Sequence, residues 1–163
     1  MSEGELCLRV LAAAGLGLVL GAEREALHKA AGLRTHLVVC TAAALLTTSS
    51  LALGESLGQH GEALRVAAGV VTGIGFIGAG AILQMRRRVV GLTTAATIFM
   101  SAAIGIAVGG GFYLLAGTAT LITIAANFGL GQVERIMEGR KPPLGTDEEP
   151  RRPKVGRPSS PRA

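Results

Sequence analysis

The chain has 163 residues, 49% of them hydrophobic and 17% charged, with a formal net charge of +5. A soluble globular domain carries about 25% charged residues; here the charges sit in short clusters between long uncharged runs, the pattern of a chain built for a bilayer. Much of the positive excess lies in the last thirty residues, so its meaning is topological rather than a footprint for nucleic acid, and no nucleic-acid partner is expected.

Glu3 and Glu5 stand where a secretory signal would carry lysine or arginine, so the first apolar stretch is expected to be retained as a span. That span runs from Leu6 to Gly21. Arg9 lies one turn inside it, positioned to snorkel to the nearer interface. The segment Ala22 to Thr35 is a polar loop in which Glu25 and Lys29, spaced i, i+4, predict a short interfacial helix ended by Gly32. The second span covers His36 to Leu53 and is rich in threonine and serine, which bond to their own i−4 carbonyls or to another helix. His36 falls at its edge, an expected interface residue rather than a metal ligand, because a lone histidine lacks the partners a metal site needs. Cys7 and Cys40 fall near opposite faces of the membrane and cannot pair within the chain.

A glycine-rich loop from Gly54 to Leu64 leads to the third span, Val66 to Leu83. This stretch holds Gly69, Gly73, Gly75, Gly78 and Gly80 and is followed by Arg86, Arg87 and Arg88. In water so much glycine would weaken a helix. In lipid it lets a neighbour approach closely, so this span is expected at the tightly packed centre of the bundle. Gly91 precedes the fourth span, Leu92 to Val108, where Ala95, Ala102 and Gly105 form a small-residue ridge predicted to dock on the third. The fifth span is Phe112 to Leu130, with Phe112 and Tyr113 at belt positions and Asn127 able to bond across helices. In the tail, residues 131–163, Gln132 to Gly139 can prolong the last helix; after Arg140 come six prolines and many arginines without apolar periodicity, expected to be disordered.

The expected fold is therefore all-α: a polytopic transmembrane bundle of five spans (6–21, 36–53, 66–83, 92–108, 112–130) within a domain 1–130. Fourteen of the sixteen Lys and Arg fall in the first loop, the third loop and the tail. This asymmetry places the N-terminus outside and the C-terminus inside. On the inner side, Glu23, Arg24, Glu25, Lys29, Arg34, Thr35, Thr93 and Thr94 make up a candidate polar site, with Arg34 expected to pair with Glu23 or Glu25 and leave Arg24 for an anion, a lipid headgroup or a partner.

Gly73, Gly75 and Gly78 match GxGxxG, but the dinucleotide reading needs an acidic residue about twenty positions on within a βαβ unit. No carboxylate occurs between Glu62 and Glu134, so the motif is set aside. No nucleophile, metal cluster or pair of intramembrane carboxylates is visible. The chain is read as a non-enzyme without cofactor.

The same residues fit something else. Gly21, Glu23, Arg24, Glu25, Lys29, Gly32, Leu33, Arg34 and Thr35 form one block. Arg65 with Gly73, Gly75, Phe76, Gly78 and Gly80 forms a second, and Gly91 to Ala96 a third. Together they resemble the MgtC/SapB family of bacterial membrane proteins. The resemblance implies an inner-membrane location and a link to adaptation at low magnesium and, in pathogens, to survival in host cells. One family member looks like a modulator of another membrane complex, the ATP synthase. The family's usual Asp-Pro pair before the arginine reads Glu62-Ala63 here, which makes Glu62 and Arg65 a candidate outer-face site. Where some members carry an ACT-like C-terminal domain, this sequence is expected to carry the tail instead, so regulation through such a domain is not carried over. Two functions follow from the resemblance and the residues: a regulator that docks on membrane partners or on itself through small-residue faces, or a transporter or channel for Mg²⁺ or another small ion.

Overall fold

The computed structural model describes residues 1–58, 61–85 and 88–138, with side chains apart from those of residues 62, 83–85, 88 and 130–138. Five helices follow one another: α1 (Glu3–Ala26), α2 (Leu33–Leu57), α3 (Glu62–Gly80), α4 (Leu92–Gly109) and α5 (Tyr113–Glu138). Between α3 and α4 lies a hairpin of β1 (Leu83–Met85) and β2 (Arg88–Val90), antiparallel with Gln84 opposite Val89. α1, α2, α3 and α4 are each long and apolar enough to cross a membrane, and α5 has an apolar segment Tyr113–Gly129.

The helix ends follow from local chemistry. Ser2 caps α1 by accepting from the Glu5 N–H at 3.3 Å, with Glu3 and Glu5 in the first turn and Arg24 in the last, each sign favoured by the helix dipole. α1 runs on past Gly21 to Ala26, and His28 then reverses the chain with φ of 52°. The separate interfacial helix expected from Glu25 and Lys29 does not form. Instead the Glu25 carboxylate reaches over Gly32 and accepts from the Leu33 N–H at 3.3 Å, placing a negative charge at the N-terminus of α2. Gly91 starts α4 at φ of 91°, and a side chain there would run into the Ala81 carbonyl. Glycine is required on both counts.

Burial is inverted relative to a water-soluble protein. Leu11, Phe76 and Leu114 are 68, 83 and 86% exposed, while Arg24 and His36 are 1 and 0% exposed. Most large apolar side chains cover the outside; the inside is mainly alanine, glycine, hydroxyls and a few charged groups, with Leu20, Ile104 and Val108 buried among them. Lipid makes this stable: it solvates leucine as well as a core would, so small residues and hydrogen bonds hold helices together instead.

The centre of the bundle is α2 and α4, not the glycine-rich span. In α4, 56% of the apolar window is buried, against 11% in α3. A methyl group added at Gly69, Gly73, Gly75 or Gly80 meets no atom within 4 Å, so these glycines do not pack this chain's own helices. Glycine content says how closely a neighbour can approach; it does not say on which helix one is waiting. Of the α3 set, Gly78 does face α4: a methyl added there would stand 3.7 Å from that of Ala95. Ala102 joins Ile74 of α3 in a small apolar cluster. Gly105 turns instead to α2, where an added methyl would run into the Cys40 carbonyl, and a methyl added at Gly109 would stand 2.8 Å from the Ala44 carbonyl.

Several boundaries also move. α2 extends to Leu57, α3 ends at Gly80 rather than Leu83, and α5 continues through 130 and 131 to Glu138. The tail from residue 139 and the arginines at 86 and 87 lie outside the described residues.

Candidate functional site

At one end of the bundle the last turn of α1 carries Glu23 and Arg24 inward. Extending α1 by a turn and a half beyond the expected span is what brings both charges inside, 7 and 1% exposed. Consecutive helical residues point about 100° apart, so the two diverge. Among the described residues neither forms an ion pair. Glu23 Oε2 accepts from Asn127 Nδ2 of α5 at 3.0 Å, and Oε1 has no hydrogen-bond partner. Arg24 Nε and Nη2 are buried without partners as well.

His36, expected at the interface, is fully buried. Its Nδ1 lies 2.7 Å from Ser101 Oγ on α4, and that hydroxyl donates to the Thr97 carbonyl at 3.1 Å. His36 Nε2 is buried with no hydrogen-bond partner among the described residues. Thr97 in turn donates to the Thr93 carbonyl at 2.7 Å. Thr94, Thr97 and Ser101 are buried and share one face of α4 by their i, i+3 and i+7 spacing. Thr93, Thr97, Thr123 and Asn127 line a crevice of about 220 Å³ between α4 and α5.

Of the residues read as an inner polar site, the bundle thus gathers Glu23, Arg24 and Thr94, and leaves Lys29, Arg34 and Thr93 exposed with Thr35 half-buried. Arg34 pairs with neither Glu23 nor Glu25 among the described residues, and Glu25 is spent on the cap of α2. His36, Ser101 and Thr97 were missed. The spacing of the hydroxyls on α4 was the available signal, since three polar groups on one face of an uncharged span have to find partners in the protein.

The opposite end is held differently. Arg9 does not snorkel outward: Nη1 donates to the Gly109 carbonyl at 2.8 Å, and Nη2 pairs with Glu5 at 2.6 Å. A guanidinium on the last carbonyls of α4 suits the negative end of that helix. Thr48 donates to the same carbonyl at 3.3 Å. A crevice of about 530 Å³ at this end is lined by Arg9, Ser50, Glu55 and Gly61, with Glu55 paired to the amino terminus at 2.9 Å. Of the outer-face pair, Arg65 is exposed and Glu62 begins α3.

A helical bundle with apolar walls and a buried polar cluster defines an integral membrane protein, and sequence comparison narrows the class. The MgtC family model matches residues 10–136. Relatives include Protein MgtC of Salmonella typhimurium strain LT2, 40% identical over 120 residues, and of Salmonella choleraesuis, 45% identical over 120 residues; each alignment takes in 74% of this chain and 50% of the relative. Protein MgtC of Brucella abortus strain 2308 is 44% identical over 124 residues, 76% of this chain and 50% of the relative. The chain belongs to the MgtC family. It spans about half the length of the curated relatives it matches. No solved structure matches it.

Proposed function

We propose that this chain is a non-enzymatic regulator of membrane complexes in the bacterial inner membrane, linked to magnesium homeostasis or adaptation to low magnesium. The supporting observation is the closed middle of the bundle. Between the Arg24 end and the Arg9 end, the helices touch backbone to backbone. A methyl at Gly17 would sit 2.9 Å from the Cys40 Cβ, and one at Gly105 would meet the Cys40 carbonyl and sit 2.8 Å from the Ala43 methyl. Such contacts leave no space for a hydrated ion along α1, α2 and α4. Magnesium also favours six oxygens in octahedral geometry and dehydrates reluctantly, and the described residues contain no group of three His, Cys, Asp or Glu placed for a metal. The open α3 face offers an apolar surface for a neighbouring helix instead. In this reading the basic inner segments stay in the cytoplasm and the N-terminus lies outside.

Two assays bear on this. Affinity capture from native membranes at low and high magnesium, with mass spectrometry, is expected to return a membrane complex that is lost in Gly73→Leu. Purified protein in sealed vesicles is expected to pass no Mg²⁺ above empty vesicles. Robust uptake would overturn the regulator reading in favour of transport.

A further inference from the structure

We propose that Arg24 is the anchor of an oxyanion site of the phosphate class at the end of the bundle where α1 finishes and α2 and α4 begin. The guanidinium is fully ionised at any physiological pH. It is 1% exposed, and no carboxylate pairs with it among the described residues. The nitrogens without partners, Nε and Nη2, lie on one edge of the guanidinium plane. That edge presents two parallel N–H groups, the arrangement that takes two oxygens of a phosphate or carboxylate side-on. A point charge needing only a helix C-terminus would not leave this edge unspent.

The surroundings favour an anion from outside the chain. The nearest acid in sequence, Glu23, is directed to Asn127. α4 begins at this end with no side-chain cap on its first N–H groups, which adds positive potential. His36 is within electrostatic range of Arg24. Lys29 and Arg34, exposed in the segment between Arg24 and His36, raise the local concentration of anions. The chemistry is shared by a free phosphate and by the phosphomonoester headgroup of an anionic lipid. The site uses the polar cluster described above but does not depend on the regulatory role: anion binding is read on purified protein, and partner capture on native membranes, so either can fail alone.

The test uses the full chain in a phosphate-free sugar detergent at fixed ionic strength. One arm titrates inorganic phosphate against chloride; the other titrates phosphatidic acid against a neutral diacylglycerol. Thermal shift gives an apparent affinity, and hydrogen–deuterium exchange locates the effect. Stabilisation is expected in at least one arm, with protection confined to the segments around Arg24 and His36. A response to phosphate alone assigns a soluble ligand, to the lipid alone a headgroup, and to both the shared chemistry. Arg24→Gln is expected to weaken the response at least about tenfold, as loss of hydrogen bonds to a charged group does. Arg24→Lys, which keeps the charge and loses the fork, should fall between. Absence of a shift in both arms, protection elsewhere in the chain, or an unchanged response in Arg24→Gln would overturn the site. If the variants do not fold, the exchange pattern of the wild-type protein decides it.

Discussion

The same substitution, glycine to alanine, should have opposite consequences on α4 and α3. At Gly105 the added methyl meets the Cys40 carbonyl, and it would stand 2.8 Å from the Ala43 methyl. Both obstacles belong to the α2 helix, one of them to its backbone, so neither can swing aside. The helices have to separate by several tenths of an ångström, at a cost of about 1–3 kcal/mol for overpacking. The helix-propensity gain of alanine over glycine, up to about 1 kcal/mol, offsets only part of this. At Gly69 the methyl meets nothing within 4 Å, so only the gain remains. Unfolding of the monomer in detergent, followed by tryptophan-independent thermal shift or denaturant titration, should show Gly105→Ala destabilised by about 1–2 kcal/mol. Gly69→Ala should be neutral or slightly more stable. A melting-temperature loss of several degrees corresponds to that range in a chain of this size. Equal losses at both positions, or none at Gly105, would refute the helix order described here.

The polar cluster makes further predictions. A double-mutant cycle of His36→Leu and Ser101→Ala should give a coupling of about 0.6 kcal/mol and no more than ~1.7, the range for interhelical bonds in membranes; a null coupling would mean the 2.7 Å contact does not persist in the bilayer. Asn127→Ala removes the donor to the buried Glu23 side chain seen among the described residues and should cost about 1–3 kcal/mol, while Asn127→Asp, which sets a second carboxyl group against the first, should be worse; a tolerated aspartate would mean the Asn127–Glu23 contact does not persist in the bilayer. For orientation, Ser2→Cys in a Cys7→Ser background should react with an impermeant maleimide on intact spheroplasts, and Lys29→Cys only after permeabilisation. The reverse pattern would invert the topology.

Membership of the bilayer was legible in the chain because it depends on totals: uncharged runs of spanning length and basic segments grouped on alternate loops. Which helix occupies the middle was not. Gly69 and Gly105 read alike in sequence, and only the path of α2 distinguishes them, by laying the Cys40 carbonyl on one and nothing on the other. The site shows the same division. Glu23 and Arg24 were singled out as polar residues at the inner side, yet their burial required α1 to run on to Ala26. The partners came from positions 104 and 65 residues away, Asn127 for Glu23 and Ser101 for His36. Hydropathy is a sum along the chain and survives without knowledge of the fold. Contact is a matter of distance between segments, and no local property of His36 states that a serine on another helix stands 2.7 Å from its ring.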